Sequence, residues 1–416
     1  MRVIHLIAAR LDSHHRLVLA IVCALELVLG IGYSLTLGNE VRYWDEREYL
    51  ELADALVTRG ELRFQDDRAF RPPGYAFFLA GLKVCGLPLV AIRIVQFGLL
   101  AATTVLLARI IRRTHGNLAG SLTALWVLAY PALMYTAATF YPQTLGAFLL
   151  IAFLSVLIAT GTSTLRAGAA GMLFGILVLT IPSFLPLIVL PAGWLVWRGR
   201  HAGFIPALVL ALAAGATIGA WTARNYACLH EFVLVSTNSG LNLLLGNSEH
   251  ATASSGVSVD IDRYHRGAEG LLGEVERDRY FRRMAVEWIK ANPTAAAGLY
   301  VKKVLNFFAL NDQLATAAEG QNWKMLILGI TYAPLLVGLG VWLLLMFVRR
   351  PQPLEYFFVA FYLANALALA IFFTRIRFRL PVDYLAIGIG AIVLARLLAP
   401  RDAKSELGSP NSAGAF

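Results

Sequence analysis

The chain has 416 residues, 58% apolar and only 15% charged, whereas soluble domains run at roughly 45–50% apolar and about 25% charged. That composition excludes an ordinary soluble domain and indicates a protein embedded in a membrane. The formal net charge of +10 would suggest nucleic acid in a soluble chain, but these arginines gather at the ends of apolar runs, where positive-inside topology puts them.

Arg2, Arg10 and Arg16 precede an apolar run over 17–37. The run is too long for a signal-peptide core and has no A-x-A site, so it is read as a retained first span that begins in the cytoplasm. Further long apolar runs cover 88–111, 118–136, 142–160, 165–180, 182–197, 202–221, 325–348, 354–374 and 380–399, with a shorter one at 72–87. Lipid offers no partner to exposed backbone groups, so crossing segments must be helical. The expected fold is all-α, a polytopic helical bundle of about ten to twelve spans. If the pairs Arg112/Arg113, Arg198/Arg200, Arg349/Arg350 and Arg396/Arg401 mark cytoplasmic turns, then 38–71 and 222–323 lie outside and 72–87 is a re-entrant or surface segment. Whether 72–87 crosses stays open at this point. The chain then divides into a transmembrane module over 1–221 with its first outer loop at 38–71, an outer region over 222–323, closing spans over 324–400 and a disordered Ser/Gly/Ala-rich tail over 401–416.

In the first outer loop, Tyr49, Leu52, Ala53, Leu56 and Val57 recur at helical spacing before Gly60, which predicts a short amphipathic helix on the membrane surface. Phe281, Met284, Ala285, Trp288 and Ile289 predict a second helix, stopped by Asn292-Pro293. Residues 238–256 read as a Gly/Asn/Ser-rich loop. Cys23, Cys85 and Cys228 stand far apart with no C-x-x-C spacing, so neither a disulfide framework nor a zinc site is expected. No metal or other cofactor is indicated.

The charges concentrate in Tyr43-Trp44-Asp45-Glu46-Arg47-Glu48-Tyr49. Asp45 with Glu48 fits a capping box that opens the surface helix. Capping leaves Glu46, Tyr43 and Trp44 unexplained, and a carboxylate at a membrane surface suits removal of a proton from an acceptor hydroxyl. Arg71-Pro72-Pro73-Gly74-Tyr75 follows; the prolines hold Arg71 extended at headgroup level, where it either snorkels or grips phosphate. Arg375, Arg377 and Arg379 alternate with apolar residues at an outer end, against the positive-inside trend, which suggests an anion to hold. Arg224-Asn225-Tyr226 and the stretch from Asn247 to His250 supply turn geometry or hydrogen bonds to a sugar. His250 has no partner at metal-ligand spacing.

In this order these motifs resemble the polyprenyl-phosphate-sugar-dependent membrane glycosyltransferases of the GT-C fold, which include dolichyl-phosphate-mannose protein mannosyltransferases and bacterial aminoarabinose transferases. The matching pieces are Trp44-Asp45-Glu46 with Tyr49, Arg71 through Leu79, Arg224-Asn225-Tyr226, the Asn238–Asn247 loop and Arg377-Phe378-Arg379-Leu380-Pro381, spread over residues 17–399. The resemblance implies Asp45 as general base with Glu46 as its companion. It implies a lipid-linked donor whose phosphate lies near Arg71, and a glycan, lipid or protein acceptor outside a bacterial inner membrane, in the periplasm. Tyr75, Arg224, Asn247, His250, Arg375, Arg377 and Arg379 are the expected substrate-binding residues. The chain departs from the family at Pro142-Gln143-Thr144, where a Ser-Glu-Thr-like step is common, and at Leu179-Thr180-Ile181-Pro182, where Leu-Thr-Arg-Pro is common. A transporter or flippase, or a polymerase or ligase of lipid-linked glycans, is the alternative. A transporter would place its polar groups near the midplane on broken helices, a pattern the sequence does not show.

Overall fold

The computed structural model describes residues 2–256, 259–271, 273–310 and 322–398. Helix α1 (Arg2–Ser13) leads into the first span α2 (His15–Leu37). Then come α3 (Trp44–Arg59), α4 (Pro73–Val84), α5 (Leu89–Leu128), α6 (Pro131–Ala137), α7 (Gln143–Ile158), α8 (Thr164–Thr180), α9 (Val189–Gly199) and α10 (Phe204–Leu229). The 222–323 region holds α11 (Ser239–Gly246), α12 (Asp262–Gly267), α13 (Glu274–Ala291) and α14 (Pro293–Phe307), and the last helices are α15 (Asn322–Leu345), α16 (Pro353–Leu369) and α17 (Ile376–Leu398). Among the described residues the only β pairing is an isolated bridge between Phe64 and Asp67.

Among the described residues, five helical stretches are long and apolar enough to cross a membrane: His15–Leu37, Leu89–Leu128, Pro182–Leu229, Leu326–Leu345 and Ile376–Leu398. Three shorter apolar helices, α7, α8 and α16, accompany them. The protein is an all-α, multi-pass membrane protein. The 40 residues of α5 would reach about 60 Å, twice the hydrocarbon thickness, and the helix folds back at Gly116, whose φ of +87° suits glycine. Its second arm then packs on its first, so closely that a side chain at Gly120 would sit 2.9 Å from Arg112 Cβ. The stretch Pro182–Leu229 bends likewise around Arg200–Gly203. With both arms of each bent stretch counted, every one of the ten long apolar runs has its helix. By contrast α4, at 12 residues, is about 18 Å long and does not cross on its own.

α17 is the central staff. It packs on α5, α7, α15 and α16, and Leu385, Ile387 and Ile389 are fully buried. Outside the bundle a second, smaller core joins Leu244, Tyr264, Phe281 and Ala285. The expected helix around Phe281 is α13, and Asn292-Pro293 stops it and starts α14. The expected 238–256 loop is helical in its first half, as α11. Gly240 allows this, because α11 lies against α13 so tightly that a side chain there would strike the Asp278 carbonyl. The tail 401–416 lies outside the described residues.

Candidate active site

α3 begins at Trp44 with Tyr43 as its N-cap. The residue that closes the cap is Glu46, which corrects the expected Asp45–Glu48 box. Glu46 Oε2 accepts from the amides of Arg42 (2.8 Å) and Tyr43 (3.0 Å), and Oε1 from the amide of Phe140 (2.9 Å). The side chain is fully buried. Glu46 therefore ties the surface helix to the 138–141 segment and faces no open space. That frees Asp45 and Glu48, one turn apart on one helical face, to point at incoming cations.

Those cations come from one nearby stretch and one remote one. Pro72 sits at φ −58°, ψ 139°, and Pro73 opens α4; this stiff entry presents Arg71 toward α3. Gly74 permits it, since a Cβ there would lie 2.9 Å from the Thr180 amide at the end of α8. Arg71 donates through Nε to Glu48 Oε2 (2.6 Å) and through Nη2 to Asp45 Oδ1 (2.9 Å). Arg377, 332 positions along the chain from Asp45, donates through Nη1 to Asp45 Oδ2 at 2.7 Å. Each oxygen of one carboxylate thus holds its own guanidinium. Asp45, Arg71 and Arg377 keep about a fifth of their side-chain surface exposed (21%, 19% and 16%), so the trio is largely buried but not sealed.

Aromatic rings flank the guanidiniums. Arg71 lies over Tyr49 at 5.6 Å, and Arg377 over Tyr141 at 5.1 Å and Phe378 at 5.0 Å; Tyr141 in turn stacks on Tyr43 at 6.0 Å. Such contacts attract the cation to the ring face without using its N–H donors. Burial pushes the Asp45 carboxyl upward, but the charges of Arg377 and Arg71 outweigh it and hold the group down at about 2. Burial beneath Arg71 pushes the Tyr49 hydroxyl up to about 12, so it stays protonated.

The other expected site residues go elsewhere. Tyr75 is fully buried and donates to Gln96 Oε1 at 2.7 Å, inside the core. Arg224 binds the carbonyls of Arg68 (2.9 Å) and Leu62 (3.3 Å), bracing the loop that leads to Arg71. Asn247 bonds to the carbonyls of Leu243 and Ile371 and accepts from Lys303 Nζ at 3.0 Å, while His250 is exposed. Arg375 donates to the Ser254 carbonyl at 3.2 Å. Arg379 turns into the bundle, over Tyr332 and toward Asp383, which also accepts from Tyr130 and Tyr362. The period-two spacing of the three arginines puts them on one side only in an extended chain. On α17, residues two apart diverge by about 200°, so Arg377 and Arg379 part.

Sequence reasoning missed Glu48 as a partner of Arg71, although its spacing from Asp45 was visible. It also missed Glu274, a buried carboxylate that accepts from the amides of Arg68 (2.8 Å) and Ala69 (3.1 Å) and from Thr237 Oγ1 (2.7 Å). Nothing local in the sequence marks a contact spanning 206 positions. Among the described residues no group of three or more His, Cys, Asp or Glu side chains is placed to hold a metal ion.

No family model and no curated protein matches the chain. Two solved structures are similar to it: ArnT from Cupriavidus metallidurans bound to undecaprenyl phosphate, and the same protein in the apo state. Both are 14% identical at a TM-score of 0.39, and the matches cover 91% and 92% of this chain and 78% of the other. Function therefore rests on this chain's own residues.

Proposed function

We propose that the protein is an inverting glycosyltransferase that moves a sugar from a polyprenyl-phosphate carrier to an acceptor hydroxyl on the outer face of a bacterial inner membrane, with Asp45 as general base. The observation that carries this reading is the single carboxylate gripped on each oxygen by a separate guanidinium, Arg71 on one side and Arg377 on the other. Guanidinium pairs at headgroup level match a lipid phosphate, whose oxygens take two N–H donors at once.

Asp45 and a donor phosphate compete for the same arginines. With its carboxyl near 2, Asp45 is a poor base while both ion pairs stand. An arriving phosphate draws Arg71 and Arg377 away, and the burial that remains raises the affinity of Asp45 for a proton. The acceptor O–H then gives its proton to the Asp45 carboxylate, and the acceptor oxygen bonds to the anomeric carbon from the face opposite the phosphate. The anomeric C–O bond breaks, and its electron pair leaves with the phosphate. The phosphate gains charge as it leaves, where preorganised cations have their largest effect. In this scheme Glu46 positions and does not react, because its oxygens are taken by backbone amides.

The test is transfer by the purified protein from synthetic polyprenyl-phosphate sugars. The expected product carries the inverted anomer, and Asp45→Asn forms almost none. Transfer by Asp45→Asn at the wild-type rate would return Asp45 to a purely structural role.

A further inference from the structure

At the end of the bundle opposite Asp45, a cleft of about 210 Å³ opens beside the end of α15, the turn that follows it and the end of α17. Arg396, on its wall, lies nineteen residues along α17 from Arg377, some 28 Å at about 1.5 Å per residue. The cleft therefore faces the other leaflet. Its walls include Leu345, Val348 and Leu397, and two cations line it, Arg349 and Arg396.

The two cations differ in their fastening. Arg396 donates two N–H groups to Glu355, at 2.7 and 2.8 Å. Glu355 is fully buried and also accepts from Trp342 Nε1 at 2.8 Å. Arg396 is thereby held as a fixed wall, with three of its five N–H groups uncommitted to Glu355. Arg349 is exposed, and no described carboxylate forms an ion pair with it. The surface around the cleft is apolar and open: Leu344 is 70% exposed, Phe347 84% and Val348 78%. A snorkelling arginine needs only headgroups around it. Here two guanidiniums share one cleft whose walls continue into a lipid-facing surface.

We propose that this cleft is a binding site for one anionic phospholipid of the leaflet at that end, with its phosphate between Arg349 and Arg396 and the start of an acyl chain along Leu345, Val348 and Leu397. The mostly apolar walls favour a lipid over a free anion, and the basic residues at this end assign it to the cytoplasmic leaflet. The site is independent of the transfer chemistry.

The test places the full chain in nanodiscs of phosphatidylcholine with and without phosphatidylglycerol, and counts the lipids retained on release into a mass spectrometer. The wild type should hold one phosphatidylglycerol in preference to phosphatidylcholine. Arg349→Gln should weaken that preference about fivefold, the share expected of one surface arginine. Arg113→Gln, which removes an exposed arginine at the same end outside the cleft, should leave it unchanged. Equal losses in the two variants would mean diffuse surface charge and overturn the proposal, as would a wild type that retains both lipids alike. Displacement of the lipid by millimolar inorganic phosphate would overturn it in favour of a free-anion site.

Discussion

Replacing Asp45 with Asn separates a base from a structural salt bridge, because the two roles predict opposite changes in donor binding. Asparagine is nearly isosteric, keeps one acceptor oxygen and carries no charge. In the wild type, Asp45 titrates near 2 instead of 3.8, a difference that corresponds to about 2 kcal/mol of net interaction with Arg377 and Arg71 beyond the cost of burial. A donor phosphate must displace that interaction to take the arginines. Asp45→Asn removes the competitor, so polyprenyl phosphate should bind more tightly, by up to roughly 30-fold. Transfer should fall by about 10²–10⁴, the usual contribution of a general base. The assays are direct titration of polyprenyl phosphate onto the purified protein and single-turnover transfer from its sugar ester. If Asp45 only holds Arg71 and Arg377 in place, the variant loses donor affinity and turnover together. Weaker phosphate binding, or turnover within a few-fold of wild type, would refute the competition and the base in turn.

Glu46→Ala leaves the amides of Arg42, Tyr43 and Phe140 without their acceptor; at about 1–3 kcal/mol for each buried group, the melting temperature should drop sharply, and Glu46→Gln should recover part of it. Glu274→Ala frees the Arg68–Ala69 backbone just ahead of Arg71, so donor KM should rise by more than kcat falls, with Glu274→Gln close to wild type because its amide can still serve Thr237 and the loop. Lys303 is fully buried, and burial lowers its pKa to about 8 from the ordinary 10.5. The unfolded chain therefore binds the extra proton between those values, and stability should rise with pH across that window. Lys303→Met should abolish that rise and stabilise the fold at neutral pH by up to about 3 kcal/mol, read by thermal melts in detergent across pH 7–11.

The architecture was open to sequence reading because the bilayer imposes it. Ten long apolar runs, several of them ending at arginines, have few solutions once backbone groups must be satisfied internally. The first half of the site was legible as well: Asp45, with Arg71 twenty-six residues on, lies in one short polar stretch closed by Gly60 and Pro72-Pro73. Arg377 was legible only as one of three equivalents. Choosing it over Arg375 and Arg379 needs the point where α17 begins, because the first helical turn decides which arginine faces α3. Glu46 misled for a related reason. A carboxylate next to the proposed base looks catalytic in one dimension, yet a helix start two residues earlier than expected turns it toward three backbone amides. Tyr75, Arg224 and Asn247 were drawn from polar motifs whose hydrogen bonds go to neighbouring segments of the protein, a distinction that neither periodicity nor charge reveals.

The polar contacts around the site fall into two kinds. Glu46 and Glu274 bind backbone amides, and Arg93 and Arg224 bind backbone carbonyls, the former tying Ala138 to the end of α2. Their partners lack a charge that a ligand can substitute, so these contacts stand whether or not substrate is present, and they set where Asp45, Arg71 and Arg377 begin. The bonds among that trio join full charges at a partly exposed surface, where an incoming anion can replace one carboxylate with little loss of pairing. On the proposed reading the site trades an internal carboxylate for a lipid phosphate, which needs both: clamps that do not exchange holding side chains that do. Substitutions in the clamps should therefore move stability and donor KM while leaving the shape of the pH profile alone, and only changes at Asp45 and its two arginines should alter the pH at which turnover begins.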